Sequence, residues 1–191
     1  MKEEQVILVN ENDEQIGLMP KMEAHEKAVL HRAFSVFIFN DKNELMLQQR
    51  ALSKYHSLGL WTNTCCSHQR EGESNIQAGK RRLQEEMGFV TDLKETTSFI
   101  YKAPFDNGLT EHELDHIMVG HYNHEPKINK DEVESWKWKN IEDVKVGEKV
   151  MSFNHDNDTS EYKEVLEVMF KENECVITYV FEDETELTGQ S

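Results

Sequence analysis

Between Ser74 and Gly88 the sequence spells out both ends of one helix. Ser74 with Gln77 three residues on is a capping-box pair, and Ile76, Leu83 and Met87 supply an apolar stripe. Gly88 then offers the residue type that ends a helix most readily. Most of the rest of the chain runs at a different period. Val6–Val9 and Gln15–Met19 flank the polar stretch Asn10–Glu14, and Ala33–Phe39 and Glu44–Arg50 flank Asn40–Asn43, so two N-terminal hairpins are expected. Thr96–Lys102, Leu114–Tyr122 and Val133–Trp138 are read as further strands, and Ser57–Arg70, which has no periodicity, as a loop. A short helix is expected near Met22–Ala28. A second full helix is expected over Ser160–Phe170, with Val165, Leu166, Val168 and Met169 on its buried side. One well-marked helix among many strands, in 191 residues, predicts an α+β chain with a single core, a mixed β-sheet flanked by helices. Residues 1–170 are expected to form that domain and 171–191 an acidic extension. In that extension Cys175–Phe181 either adds a strand or pairs with a partner chain.

Charge narrows the function. Lys plus Arg number 21 against 37 Asp plus Glu, a net charge of −16, which argues against nucleic acid or anionic membrane as partners. No apolar run approaches the roughly 20 residues that cross a bilayer. The acidic start lacks a signal-peptide profile, and three cysteines give no disulfide framework, so a soluble cytoplasmic protein is expected. The total hides a partition: residues 21–82 carry a net charge of +4 and hold all five arginines, Arg32, Arg50, Arg70, Arg81 and Arg82. Planar guanidinium forks suit phosphate and carboxylate, so this segment is the first candidate for an anion site, with solvated surface charge as the alternative.

The segment Ser67–Phe89, SHQREGESNIQAGKRRLQEEMGF, resembles the Nudix box, with Glu73, Arg81, Leu83, Glu85, Glu86 and Gly88 on matching positions. Ser67 stands where the box opens with Gly, and Arg82 where it has a Glu. A guanidinium cannot ligate a metal or polarise water, but it can bind a phosphate oxygen. Glu85 and Glu86 are also spaced to pair with Arg81 and Arg82 along an ordinary helix surface. The loop Gly59–His68, together with Leu30–Ser35 and Arg50–Lys54, extends the resemblance to the type I isopentenyl-diphosphate isomerases, a Nudix-fold family, over roughly Met1 to Val144. That resemblance implies a single compact Nudix-like domain that interconverts isopentenyl and dimethylallyl diphosphate by protonation and deprotonation. It implies Cys66 and Glu113 as the acid–base pair, with Tyr101 supporting them, and His25, His31, His68, Glu111 and Glu113 around one Mn²⁺ or Zn²⁺. It further implies Lys21, Arg50, Lys54 and Arg82 on the diphosphate, and Glu86 with the phosphates on Mg²⁺. The family's C-terminal tryptophan has no counterpart after Trp138; Tyr162 and Phe153 are the nearest aromatic candidates.

The residues support part of this independently. Glu111 and Glu113 are i and i+2, so on a strand both leave one face, roughly 6–7 Å apart along it, close enough to share an ion. Imidazole with carboxylate suits several divalent ions. Protonating an alkene needs an acid, a base across the double bond, water excluded and positive charge stabilised, the last a task for an aromatic face. Three other readings compete: a pyrophosphohydrolase of the same fold, a silent diphosphate-binding homologue, and a zinc peptidase, since His112-Glu113-Leu114-Asp115-His116 satisfies H-E-x-x-H. The peptidase requires a helix there. Ile117, Val119 and Tyr122 favour a strand, on which His112 and His116 stand roughly 13 Å apart.

Overall fold

The computed structural model describes residues 4–52, 59–104 and 108–140 in full, and the backbone of five further strands between 149 and 190. The first hairpin forms as β1 (Gln5–Val9) and β2 (Gln15–Pro20), followed at once by the short helix α1 (Lys21–Glu26), which buries Ala24 and His25. Next come β3 (His31–Phe39) and β4 (Glu44–Arg50), then two very short strands, β5 (Trp61–Thr62) and β6 (Cys65–Ser67). The long helix α2 (Asn75–Met87) leads to β7 (Leu93–Pro104), β8 (Thr110–His121) and β9 (Val133–Asn140).

These nine strands make one mixed sheet organised around β3. One edge of β3 runs parallel to β8 for its whole length, from His31 beside Glu113 to Phe39 beside His121. Its other edge is shared: β1 meets it at His31, β6 at Phe34–Val36, and β4 at Phe39. β7 extends the sheet beyond β8, and β9 pairs with β4.

Side chains alternate across a strand, so β3 has two characters. Phe34, Val36 and Ile38 pack with Met118 and Cys65 against Ala78, Leu83 and Met87 of α2, forming the main core. Burying such side chains contributes on the order of 1.5–3 kcal/mol each. His31, Ala33 and Ser35 face the other way. α2 is held as its sequence predicts: the Ser74 side chain accepts from the Gln77 N–H, and the Gln77 side chain accepts from the Ser74 N–H. Gly88 ends it at φ 73°, where a Cβ would lie 2.3 Å from the Lys127 carbonyl oxygen.

Two expectations are corrected. The stretch read as a loop from Ser57 to Arg70 contains β5 and β6. Thr64 between them donates to the Met46 carbonyl at 2.6 Å and accepts from the Ile38 N–H at 3.0 Å, so the segment is stitched to β3 and β4 by long-range bonds that two or three residues cannot announce as a period. The helix expected over Ser160–Phe170 is replaced by β11 (Thr159–Glu164) and β12 (Glu167–Phe170). β11 pairs with β10 (Lys149–Asn154), while β12 pairs with β13 (Val176–Val180), and that with β14 (Glu186–Gln190). Val165 and Leu166 lie outside the described residues, and the apolar pair Val168-Met169 fits either period over so short a run. Partner strands decided the outcome.

Candidate active site

The face of the sheet turned away from α2 is polar where β3 and β8 meet. Glu111, Glu113 and Asp115 alternate along β8 and so share this face, as the spacing of the two glutamates predicts. Across the sheet, Tyr101 of β7 sits opposite Glu113, His31 of β3 lies beside Glu113 on the other edge, and Cys66 of β6 lies opposite Ser35. Adjacent in sequence, the two cysteines part here: Cys65 is buried in the helix-side core and Cys66 opens to the polar face.

Four side chains converge. His25 from α1, His31 from the start of β3, His68 just after β6 and Glu113 present ligand atoms within 4.8 Å of one another, all buried. The three imidazole Nε2 atoms stand 3.8, 3.4 and 3.1 Å from the same oxygen, Oε1 of Glu113. His31 Nδ1 is 2.8 Å from the Val29 carbonyl, which fixes its proton there and leaves the Nε2 lone pair facing the cluster. Nε2 of both His25 and His31 is buried with no hydrogen-bond partner. Such orphaned nitrogens around a carboxylate are what a divalent ion would satisfy, so these residues fit a metal. Glu111, expected as a fifth ligand, is not in this group of four. It accepts from the Tyr101 hydroxyl at 3.0 Å, while the Tyr101 hydroxyl also lies 2.6 Å from Glu113 Oε2.

Electrostatics separates the two glutamates. Burial works to raise the Glu113 carboxyl, but its contacts with His25, His31 and His68 overcome this and hold it well below the usual range. Burial, and then the Glu113 charge, push Glu111 up to about 7. His68 is lowered to about 4, mainly by burial, and so stays neutral as a ligand must. Tyr101 is raised well above 10 by burial and the neighbouring carboxylates, and remains a hydroxyl donor. Cys66 has solvent-reachable surface yet is crowded by protein atoms; burial and the nearby Asp115 push its thiol up to about 12, against contacts with Ser35, Thr62 and Asn63. Asp115 itself is raised to about 8 by burial and by Glu113.

The expected basic residues gather nearby. Lys21 acts on the electrostatics of His68, Arg50 on Glu111, and Lys21 and Arg82 both on Glu4, whose carboxylate is 3.5 Å from Lys21. Lys54 lies outside the described residues, as do the side chains of Phe153 and Tyr162. Arg82 is engaged by Glu85 at 2.9 Å, by Glu132 at 3.2 Å and by Glu86. Glu86 is buried, and its second oxygen accepts from Gln48 at 2.8 Å. Both oxygens of Glu86 therefore already have donors. Three of the five arginines serve other ends: Arg32 pairs with Asp13, Arg70 with Glu85, and Arg81 clamps Glu73 at 2.7 Å, tying the preceding loop to α2.

The H-E-x-x-H reading falls, because the stretch is strand β8. His112 bonds the Ala28 carbonyl at 2.9 Å, while His116 is held by Glu95 at 2.7 Å and by Asp13 at 3.3 Å. The sequence reading missed Ser35, Thr62, Asn63 and Asp115, which surround Cys66. Asp115 was detectable as the third member of the alternation Glu111, Glu113, Asp115.

Comparison with known proteins places the chain among relatives. The NUDIX domain pattern matches residues 29–169. The isopentenyl-diphosphate Delta-isomerase 2 of Aromatoleum aromaticum is 49% identical over 144 residues, spanning 75% of this chain and 76% of its own. The isopentenyl-diphosphate Delta-isomerase of Serratia proteamaculans is 50% identical over 142 residues, 74% of this chain and 79% of its own, and that of Aliivibrio fischeri is 43% identical over 175 residues, 85% and 95%. A solved structure from Deinococcus radiodurans shares the fold with a TM-score of 0.60 and 21% identity, covering 73% of this chain and 85% of that one.

Proposed function

The chain belongs to the NUDIX domain family and, within it, to the isopentenyl-diphosphate Delta-isomerases, and from that membership we propose how its own residues carry the reaction. It is an isomerase that converts isopentenyl diphosphate to dimethylallyl diphosphate. Such a shift of a double bond needs one proton added at the terminal methylene carbon and one removed from the methylene on the far side of the tertiary carbon. In our reading Cys66 gives the first proton and Glu113 takes the second. Exchange with solvent then restores both groups.

The observation that carries this reading is the opposite protonation bias of two groups on one face of the sheet, flanking β3. The Cys66 thiol is pushed up to about 12 and so holds its proton at neutral pH, while Glu113 is held well below the usual range and is ionised. An acid with its proton and a base without one are the starting states the reaction requires. Tyr101 fixes Oε2 of Glu113 through the 2.6 Å hydrogen bond, which orients the carboxylate. A divalent ion on His25, His31, His68 and Glu113 would supply fixed positive charge that holds these four groups together; Mn²⁺ and Zn²⁺ both suit such a donor set. Glu111 belongs to this site through Tyr101.

For the diphosphate we propose Lys21, Arg50, Lys54 and Arg82. Lys21, Arg50 and Arg82 are supported by their influence on His68, Glu111 and Glu4. Arg82 reaches a phosphate only by giving up its carboxylate partners, and that exchange is what would free Glu86 for Mg²⁺ carried in with the phosphates.

The test is incubation with isopentenyl diphosphate and Mg²⁺ in D₂O, followed by NMR. Dimethylallyl diphosphate carrying deuterium is expected. Release of free phosphate would mark a hydrolase instead, and binding without turnover would overturn the isomerase reading.

A further inference from the structure

Asp115 is a buried acid that neither the metal cluster nor the acid–base pair accounts for. It is 5% exposed, its Oδ1 has no hydrogen-bond partner, and it is not among the four converging ligands. A buried carboxyl is costly to keep unless it does something for a neighbour. Its Oδ2 accepts from the Ser35 hydroxyl at 2.8 Å, and Ser35 Oγ is 3.6 Å from Cys66 Sγ.

A hydroxyl has one proton. That of Ser35 is committed to Asp115, which keeps a lone pair for it in either protonation state. The Thr62 hydroxyl is committed in the same way, to Asn63 Oδ1 at 2.9 Å, and its oxygen stands 3.7 Å from the same sulfur. Asn63 Oδ1 also contacts Sγ. Three oxygens therefore surround the Cys66 sulfur, and its single proton goes to Asn63 Oδ1. Of these, Ser35 has the firmest support. It lies within β3, paired with Cys66 on one edge and Ile117 on the other.

We infer that Ser35, anchored by Asp115, is a positioning residue that seats the Cys66 sulfur for proton delivery to the alkene. This rests on the reading of Cys66 as the acid, and the same experiment tells the two apart. Ser35→Ala removes one oxygen and is expected to lower kcat by about 10²-fold, the scale of a misplaced catalytic group, with KM little changed and the thermal midpoint kept. Ser35→Thr keeps the oxygen, suits a strand, and restores most of the activity. Asp115→Ala lowers kcat in the same way, and because both act through one contact, the Ser35→Ala/Asp115→Ala double variant is no worse than the weaker single one.

Full kcat in Ser35→Ala would overturn the inference, as would losses that multiply in the double variant or a folded Ser35→Thr that stays impaired. Cys66→Ala is run alongside. If it retains turnover, the acid assignment beneath this inference has failed. If it is inactive while Ser35→Ala is fully active, the positioning role alone has failed.

Discussion

Cys65 and Cys66 share a peptide bond and open onto opposite faces of one sheet, and the two faces treat buried carboxylates in opposite ways. On the helix side Cys65 lies 3.5 Å from Glu86, a carboxylate saturated by Arg82 and Gln48. On the other side Glu113 is ringed by imidazoles, with three buried ring nitrogens left without partners. The helix side has brought its own cation, a guanidinium that meets three carboxylates while its Nε stays buried without a partner. The imidazole side surrounds one carboxylate with ring nitrogens and is incomplete, which is how a site built to receive an ion differs from one built to hold a fold together.

Activity breaks this comparison most sharply. Glu113→Gln and Cys66→Ala are each expected to lower turnover about 10³-fold or more while unfolding stability stays near that of the parent, since general acid–base groups contribute on the order of 10²–10⁴-fold. Deuterium incorporation by NMR and denaturant unfolding, run together, check both halves. A fully active Cys66→Ala removes the acid assignment. The helix side should respond in stability. Arg82→Met leaves Glu86 buried without its cation, and the loss should be about 3–5 kcal/mol in denaturant unfolding. A variant as stable as the parent would mean that the two faces do not differ in the way described.

Metal should discriminate the faces next. Added Mn²⁺ or Zn²⁺ is expected to bind the folded state of the parent and to raise its stability by about 2.7 kcal/mol at a hundredfold excess over Kd. His31→Ala is expected to lose that gain and Glu86→Gln to keep it, as read from thermal midpoints with and without ion. The reverse pattern would move the resident ion to the helix side.

The legibility of the molecule follows the range of its interactions. α2 was readable end to end because Ser74, Gln77 and Gly88 act within a few residues of one another. The strand character of β8 was readable for the same reason, and it sufficed to exclude a zinc peptidase. β5 and β6 were not readable, since Thr64 owes its place to Ile38 and Met46, far away in sequence. In the site, the spacing of Glu111 and Glu113 gave their common face, but only the register of β7 on β8 shows that Tyr101 stands between them. The resemblance of the Gly59–His68 run named Cys66 and the alternation along β8 offered Asp115, whereas Ser35 became visible only when β3 brought 31 and 80 residues of separation to hydrogen-bonding distance.

The smallest effect expected is on pH dependence, and it has a definite sign. Asp115 has its folded value raised to about 8 from an ordinary 3.8, so its stabilising contribution is fully present below 3.8 and is lost as the pH rises through 8. Glu111, raised to about 7 from 4.5, gives the same slope and has only about 0.4 kcal/mol left to lose above pH 7. His68 acts oppositely: lowered to about 4 from 6.5, it costs stability only as the pH falls below 6.5. The helix side adds nothing to this slope through Arg82, whose carboxylate neighbours hold an already high guanidinium value higher still. Between pH 7 and 8 Asp115 is therefore the group of the four whose protonation differs most between folded and unfolded chains. Unfolding in chelator should show the parent losing about 1.4 kcal/mol across that interval and Asp115→Asn only about 0.4 kcal/mol. A parent that is flat there, or a variant that slopes as steeply as the parent, would mean that the buried acid on the imidazole face is not held protonated by its surroundings.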